Sequence, residues 1–274
     1  MPTIHPTALV DGGAVLADDV EIGPYCLVES DVTLGPGTVL RGHAIVRRYT
    51  TLGRGNVVDS FVVLGGEPQD RNFDAAQITY LTIGDDNIFR EGVTISRATG
   101  DGNVTRIGSR GHWMTQSHAA HNCQIGDDVV LVNNVGLAGY SELGPRVLLS
   151  GCAGVHQFTW VGEGAMAQAN TGISSHVPPF CMVTGINSII GLNVVGLRRA
   201  EDVGAEDLRQ IKEAFRMLYR SGLTPPTALE RMDACTDWGP PAGRFRAFLR
   251  RVLTAEGRYK RALCAPRGRA GRGA

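Results

Sequence analysis

No CxxC pair occurs among the six cysteines, which stand alone at 26, 123, 152, 181, 235 and 264. Dispersed single cysteines pack as small apolar residues, so neither a metal site nor a disulfide framework is expected. Long apolar runs are also missing. The most apolar stretch, around Ile186 to Leu197, is too short and too polar to span a bilayer, and stable membrane insertion is not expected. The opening residues Met1, Pro2, Thr3, Ile4 and His5 have no basic start and no apolar run behind them, unlike a secretory signal, so a cytoplasmic protein is expected. Charge of one sign is not in excess: 27 Lys+Arg balance 27 Asp+Glu, and no nucleic-acid partner is expected.

The chain of 274 residues, 43% hydrophobic and 20% charged, can bury a sizeable core in one large domain plus a small one. Its 36 glycines are dispersed at regular intervals rather than pooled in a linker. The balanced charge is unevenly spread. Residues 1–195 carry 10 Lys+Arg against 18 Asp+Glu, and residues 196–274 carry 17 against 9. A basic C-terminal part suits an acidic partner or ligand, although Arg-rich helices also serve as solvated faces.

A six-residue period decides the fold. An aliphatic residue recurs at Ile4, Val10, Leu16, Ile22, Val28, Leu34, Leu40, Val46, Leu52, Val58 and Leu64. The period resumes at Ile83, Phe89 and Ile95, and runs again from Ile107 through Trp113, Ala119, Ile125, Leu131, Leu137, Leu143, Leu149, Val155, Val161 and Ala167 to Ile173. Glycine often follows, as in Ile22-Gly23 and Ile125-Gly126, and small or β-branched residues commonly sit four places on, as at Ala8, Ala14, Val20 and Cys26. Neither an amphipathic helix nor an alternating strand has this period. A triangular prism does, with a short strand and one inward aliphatic per face, three hexads to a coil, and coils stacked roughly 4.8 Å apart. Each fully buried aliphatic contributes roughly 1.5–3 kcal/mol. The expected fold class is a mainly β, single-stranded parallel β-helix over 1–195, followed by a small basic α-helical domain over 196–265.

Two interruptions, at 66–82 and about 98–106, push loops out of the prism, and long excursions from a regular scaffold often carry binding residues. From about Ala200 the pattern turns helical: Leu208, Ile211, Phe215, Leu218 and Tyr219 form one stripe, which Gly222 and Pro225-Pro226 are expected to stop. Phe245, Phe248, Leu249, Val252 and Leu253 form another, and residues 266–274 are expected to be a disordered tail.

The same arithmetic places the candidate chemistry. His121 and Gln157 each sit two places after an inward aliphatic and are 36 residues apart, which is two coils, with Gly139 midway. An imidazole, a bare glycine and an amide therefore line up along roughly 10 Å of one face. Such a column can supply a general base, a backbone donor and a positioning group; isolated polar residues on a β-helix surface are the plainer alternative.

Around these residues the sequence resembles the UDP-N-acetylglucosamine O-acyltransferases of lipid A synthesis, over nearly its whole length. The likeness rests on Gln69-Asp70, the run from His118 to Cys123, Val132-Asn133-Asn134, Leu137-Ala138-Gly139 and Val155-His156-Gln157-Phe158. Val177-Pro178-Pro179, Asn193, Gly196-Leu197-Arg198-Arg199 and Tyr219-Arg220-Ser221-Gly222 also match. The resemblance implies a left-handed β-helix, a homotrimer with the active site between subunits, an acyl carrier protein as acyl donor docked on the basic helices, and a UDP-sugar acceptor. No cofactor or metal is implied. His121 would be the general base, and the Gly139 N–H would steady the oxyanion. Gln69, Asp70, His118, Asn122, Tyr140, His156, Gln157, Asn193 and Arg199 would contact substrate, Arg199 near the phosphates. Ala169 would meet the acyl tail.

The chain departs from the family pattern at five places. Asn122 replaces an Asp after the base, Asn72 a loop Lys, Ser96 a His, Tyr140 a sugar-contacting His, and Val195 a Glu. These touch the acceptor shell and the neighbour of the base, not the base. They keep open an acyltransferase of the same fold acting on another sugar hydroxyl or amine, and a non-catalytic β-helix that binds a nucleotide sugar or carrier protein. A γ-class carbonic anhydrase needs a histidine spacing that His112, His118, His121 and His156 cannot make.

Overall fold

The computed structural model describes residues 1–235 and 237–268. Almost every hexad up to Ile173 forms one strand of two to four residues, and three hexads make a left-handed coil. Each strand pairs in parallel with the strand one coil on, as Ile4 with Ile22 and Ala119 with Leu137. The stack builds three faces, with sheets of 12, 9 and 8 strands. Backbone groups are therefore satisfied between coils, and the periodic aliphatics from Ile22 onward fill the prism. Ile4, in the first coil, is 42% exposed because no coil precedes it.

The core holds a second inward column that the expectation of one inward residue per face did not include. The position four places on, occupied by Val20, Cys26, Val32, Thr38 and Ala44, is also buried, because each corner turns it back under the next strand. Some polar residues there are satisfied by the corner backbone: Asn56 donates to the carbonyls of Gly53 and Gly84 at 3.0 and 2.9 Å. One residue in most corners takes the left-handed conformation, including Asn122, Tyr140 and Phe158 at φ of 60°, 59° and 58°. That conformation costs a non-glycine residue about 1–2 kcal/mol. The coil repeat offers compensation, since Tyr140 and Phe158 are stacked with ring centroids 4.9 Å apart.

The excursions are shorter than the sequence pattern suggested. Strands run to Gly66 and restart at Tyr80, then end at Ser96 and restart at Val104. The first loop is pinned by the buried Arg97, whose guanidinium lies 5.3 Å from the Phe73 ring centre and 3.4 Å from Glu67.

The prism closes with an antiparallel pair, Cys181–Thr184 against Ser188–Leu192. Four helices follow: α1 (Val194–Arg199), α2 (Ala205–Tyr219), α3 (Pro225–Asp233) and α4 (Pro240–Leu253). Gly222, at φ 75°, breaks the chain after α2, but Pro225 and Pro226 start α3 instead of stopping a helix. They occupy its first turn, where a missing N–H costs nothing, and Thr224 caps it. Helix α4 leans on the third face through Arg244 with Glu163 and Arg251 with Glu142, and the Arg251 guanidinium sits 3.7 Å above the Trp160 ring. Pro266, expected to begin an irregular tail, pairs with Ile189, and residues 269–274 of that tail lie outside the described residues. Among the described residues no helix is long and apolar enough to cross a membrane.

Candidate active site

A groove of about 660 Å³ runs along the second face, lined by Gln69, His118, His121, Gly139, His156 and Gln157 among others. The column read from the hexad register is thus assembled, and the first excursion contributes Gln69 to its wall. A larger hollow of about 970 Å³ lies on the same face beyond that excursion. Its cations are already paired, Arg47 with Glu29, Arg48 with Asp31 and Arg97 with Glu67, which leaves little there for chemistry.

His121 is 5% exposed and held from behind. Its Nδ1 lies 2.9 Å from Oδ1 of Asn122. Contacts to Thr99 settle which end of the Asn122 amide is oxygen. The Thr99 N–H can only donate and meets Oδ1 at 2.9 Å, while the Thr99 carbonyl can only accept and meets Nδ2 at 3.1 Å. Because Oδ1 accepts, His121 Nδ1 must carry the hydrogen, and Nε2 is left with its lone pair.

The imidazole lies directly over Gly139: a Cβ built on that glycine would be 2.6 Å from Cε1 and 2.7 Å from Nε2 of His121. Any side chain there would displace the ring. The Gly139 N–H makes no hydrogen bond within the described residues and remains free for a ligand. His118, one strand position before the corner, is tied through Nδ1 to Thr94, with Oγ1 at 2.8 Å and the carbonyl at 3.1 Å. Burial pushes its pKa below the ordinary histidine value, the Thr94 carbonyl opposes this, and His121 nearby adds to it. His118 is therefore neutral near pH 7. His156 and Gln157 are exposed at the groove edge, with His156 Nδ1 3.1 Å from the Gln157 carbonyl.

Other expected site residues stand elsewhere in this chain. Asp70 turns the first excursion by accepting from the Asn72 N–H at 2.9 Å. Asn193 caps α1, accepting from the Gly196 N–H and donating to the Gly164 carbonyl, both at 3.0 Å, so its amide is already engaged. Arg199 is exposed in the last turn of α1. Ala169 is exposed at the opposite corner of the second face from His121. Asn122 stands behind His121 and not in the groove wall. Tyr140 meets His121 edge-on at 5.3 Å, and its hydroxyl lies 3.1 Å from that of Thr99.

Two contributors have no signal in the hexad pattern. Thr99 comes from the second excursion. Tyr259 comes from a short turn after α4: its ring meets Phe158 edge-on at 5.4 Å, and its hydroxyl donates to the Tyr140 carbonyl at 3.2 Å.

Comparison with known proteins bears on this geometry. Residues 176–259 match the family model described as UDP-N-acetylglucosamine O-acyltransferase, domain 2. The chain is 38% identical over 260 residues to the acyl-[acyl-carrier-protein]–UDP-N-acetylglucosamine O-acyltransferase of Janthinobacterium sp. (strain Marseille), covering 94% of this chain and 98% of that protein. It is 45% identical over 226 residues to the enzyme of the same name from Thiobacillus denitrificans, covering 82% and 87%. The chain belongs to the UDP-N-acetylglucosamine O-acyltransferase family. Solved members superpose closely. The Francisella novicida UDP-N-acetylglucosamine acyltransferase gives a TM-score of 0.90 at 31% identity, covering 97% of this chain and 95% of that one. The Moraxella catarrhalis UDP-N-acetylglucosamine O-acyltransferase gives 0.88 at 37%, covering 95% and 99%. Acyltransferase activity is therefore the activity of this chain.

Proposed function

We propose that the protein transfers an acyl group, of the 3-hydroxyacyl type, from acyl carrier protein to the 3-hydroxyl of UDP-N-acetylglucosamine or a closely related nucleotide sugar. The observation that carries this reading is the His121 ring, held through Nδ1 by Asn122 and lying over Gly139 in the groove. Nε2 takes the proton of the sugar hydroxyl as its oxygen attacks the thioester carbonyl. The tetrahedral oxyanion accepts from the Gly139 N–H. Collapse re-forms the carbonyl and expels the thiolate, which takes the proton back from the imidazolium. His118 and the amides of Gln69 and Gln157 present hydrogen-bonding groups to the sugar.

The groove is open on one side, and three stacked rings, Tyr25, His43 and Phe61, stand along a corner of the prism, with Tyr25 60% and Phe61 64% exposed. Both features favour a homotrimer in which a neighbouring copy supplies the missing wall. Asp70, Arg199 and Ala169 would then serve a neighbour's groove, with Arg199 near the phosphates and the Ala169 methyl shortening the acyl tail by about one methylene. The exposed Arg198 and Arg199 make no ion pair among the described residues and are free to meet an anionic ligand or carrier.

The test is product mass spectrometry with several UDP-sugars and a ladder of acyl carrier donors, run on the wild type and His121→Ala. Loss of a general base should lower turnover by about 10²- to 10⁴-fold. A small loss, equal to that of His118→Ala, would instead indicate a binding protein. Light scattering showing a stable monomer at micromolar concentration would remove the trimer.

A further inference from the structure

The side-chain hydrogen bonds of Asn122 converge on one residue that neither the hexad register nor the resemblance singles out. Thr99 donates its N–H to Oδ1 at 2.9 Å and places its hydroxyl 3.0 Å from the same oxygen, and its carbonyl accepts from Nδ2 at 3.1 Å. Flipping the amide would set Oδ1 against the Thr99 carbonyl and Nδ2 against its N–H, losing both backbone bonds at a nearly buried site. The hydroxyl adds a direction. Oδ1 has no hydrogen, so the Thr99 hydroxyl donates to it, and the Tyr140 hydroxyl, 3.1 Å away, must then donate to Thr99. Every proton in the series from Tyr140 through Thr99, and from His121 on the other side, points toward the amide oxygen. Tyr140 is itself held from two sides, by the Phe158 ring and by the Tyr259 hydroxyl on its carbonyl.

We propose that Thr99 is a positioning residue for the base: it anchors the Asn122 amide and so commits His121 to the Nδ1–H tautomer, with Tyr140 as the outer link. This rests on the reading of His121 as the base. It assigns the second excursion a role in catalysis without contact with substrate. It also explains how a neutral side chain can stand where the family pattern has a carboxylate. A carboxylate orients an imidazole by charge, whereas an amide does so only if its own orientation is fixed.

The experiment compares Thr99→Val, Thr99→Ser and Tyr140→Phe in the full-length enzyme, measuring kcat and KM for both substrates. The His121 ring nitrogens are observed by long-range ¹H–¹⁵N spectra and assigned by their loss in His121→Ala. Thr99→Val removes the hydroxyl and presses a methyl on Oδ1. It should lower kcat by about 5- to 10-fold, the scale of one hydrogen bond, leave both KM values nearly unchanged and, because the backbone of residue 99 still holds the amide, shift the Nδ1–H signal without moving the proton to Nε2. Thr99→Ser should restore most of the rate and the wild-type position of the Nδ1–H signal. Tyr140→Phe, which keeps the stack on Phe158, should shift kcat in the same direction by a smaller factor and gives a readout should Thr99→Val fold poorly. A wild-type ring protonated at Nε2, an unchanged kcat in both Thr99→Val and Tyr140→Phe, or a Thr99→Ser as impaired as Thr99→Val would overturn the proposal. Full turnover in His121→Ala would sink the base reading itself. Its loss beside a silent Thr99→Val and a silent Tyr140→Phe would sink the positioning role alone.

Discussion

Replacing Gly139 by alanine adds one carbon and two hydrogens, yet it should cost about as much as a deliberate displacement of the base. The new methyl would lie 2.6 Å from Cε1 and 2.7 Å from Nε2 of His121. Ordinary contact begins at 3.4 Å, so the ring must retreat by roughly 0.8 Å. It has little freedom to do so, because Tyr140 stands edge-on to it at 5.3 Å and Nδ1 is bound to Asn122 at 2.9 Å. A retreat of that size along the bond would break it and move Nε2 away from the line of attack. Misplacement of a reacting group by about 1 Å costs on the order of 10² in rate, and crowding a packed site costs about 1–3 kcal/mol of stability. Gly139→Ala should therefore lose about two orders of magnitude in kcat while remaining folded by circular dichroism. Gly151→Ala, where the nearest atom is 3.6 Å away, is the matched control and should stay close to wild type. A Gly139→Ala enzyme within threefold of wild-type kcat would refute the stacked geometry of base and glycine.

Further outcomes follow from the same contacts. His118→Ala should raise KM for the sugar more than it lowers kcat, since the Thr94-bound ring faces the groove without reaching the reacting proton; steady-state kinetics on both substrates separates the two. His176 is fully buried, accepting from the Trp160 N–H at 3.0 Å and donating to the Tyr259 carbonyl at 2.9 Å, and burial pushes its pKa below the ordinary value. A histidine depressed in this way contributes stability above pH of about 6.5 that is lost as pH falls, because protonation forfeits the Trp160 bond. The Tm should decline from pH 7.5 to 5, and less steeply in His176→Gln; equal slopes would refute this. Asn122→Asp should favour the imidazolium and move the acid limb of the kcat/KM profile to higher pH. It should also lower Tm, because a carboxylate oxygen would replace Nδ2 3.1 Å from the Thr99 carbonyl. An acid limb that stays in place, or moves down, would show that residue 122 does not address His121.

The prism was legible because its geometry is one-dimensional. Once six residues make a face and eighteen a coil, the separation of His121, Gly139 and Gln157 converts directly into a column. What blurred was whatever the coil does not repeat. The column of small or β-branched residues does not read as inward because it mixes Val20 and Ala44 with Thr38 and Asn56, whose side chains donate to corner carbonyls. Pro225-Pro226 read as a stop because proline excludes a helix interior, but the same lack of an N–H suits a first turn. The capping signal of Thr224 just ahead of the pair pointed the same way.

The site divides along the same line. Residues on the coils could be placed by counting, and the groove assembles them. Residues from outside the coils could not, since an excursion has no register and a helical segment returns wherever its own packing sends it. Thr99 reaches Asn122 across 23 positions and Tyr259 reaches Tyr140 across 119. Asn193 makes a contrast: an asparagine three residues before Gly196 is an N-cap, and its amide also donates to the Gly164 carbonyl of the coil. The same bookkeeping applied to Asn122 gives a different answer. Its Nδ2 and Oδ1 are both engaged as well, but the partners lie behind the groove, and one of them is the base. An amide bonded to the scaffold, as at Asn193, steadies the elements it joins. It belongs to the mechanism when, as at Asn122, the proton it holds determines which nitrogen of His121 is free.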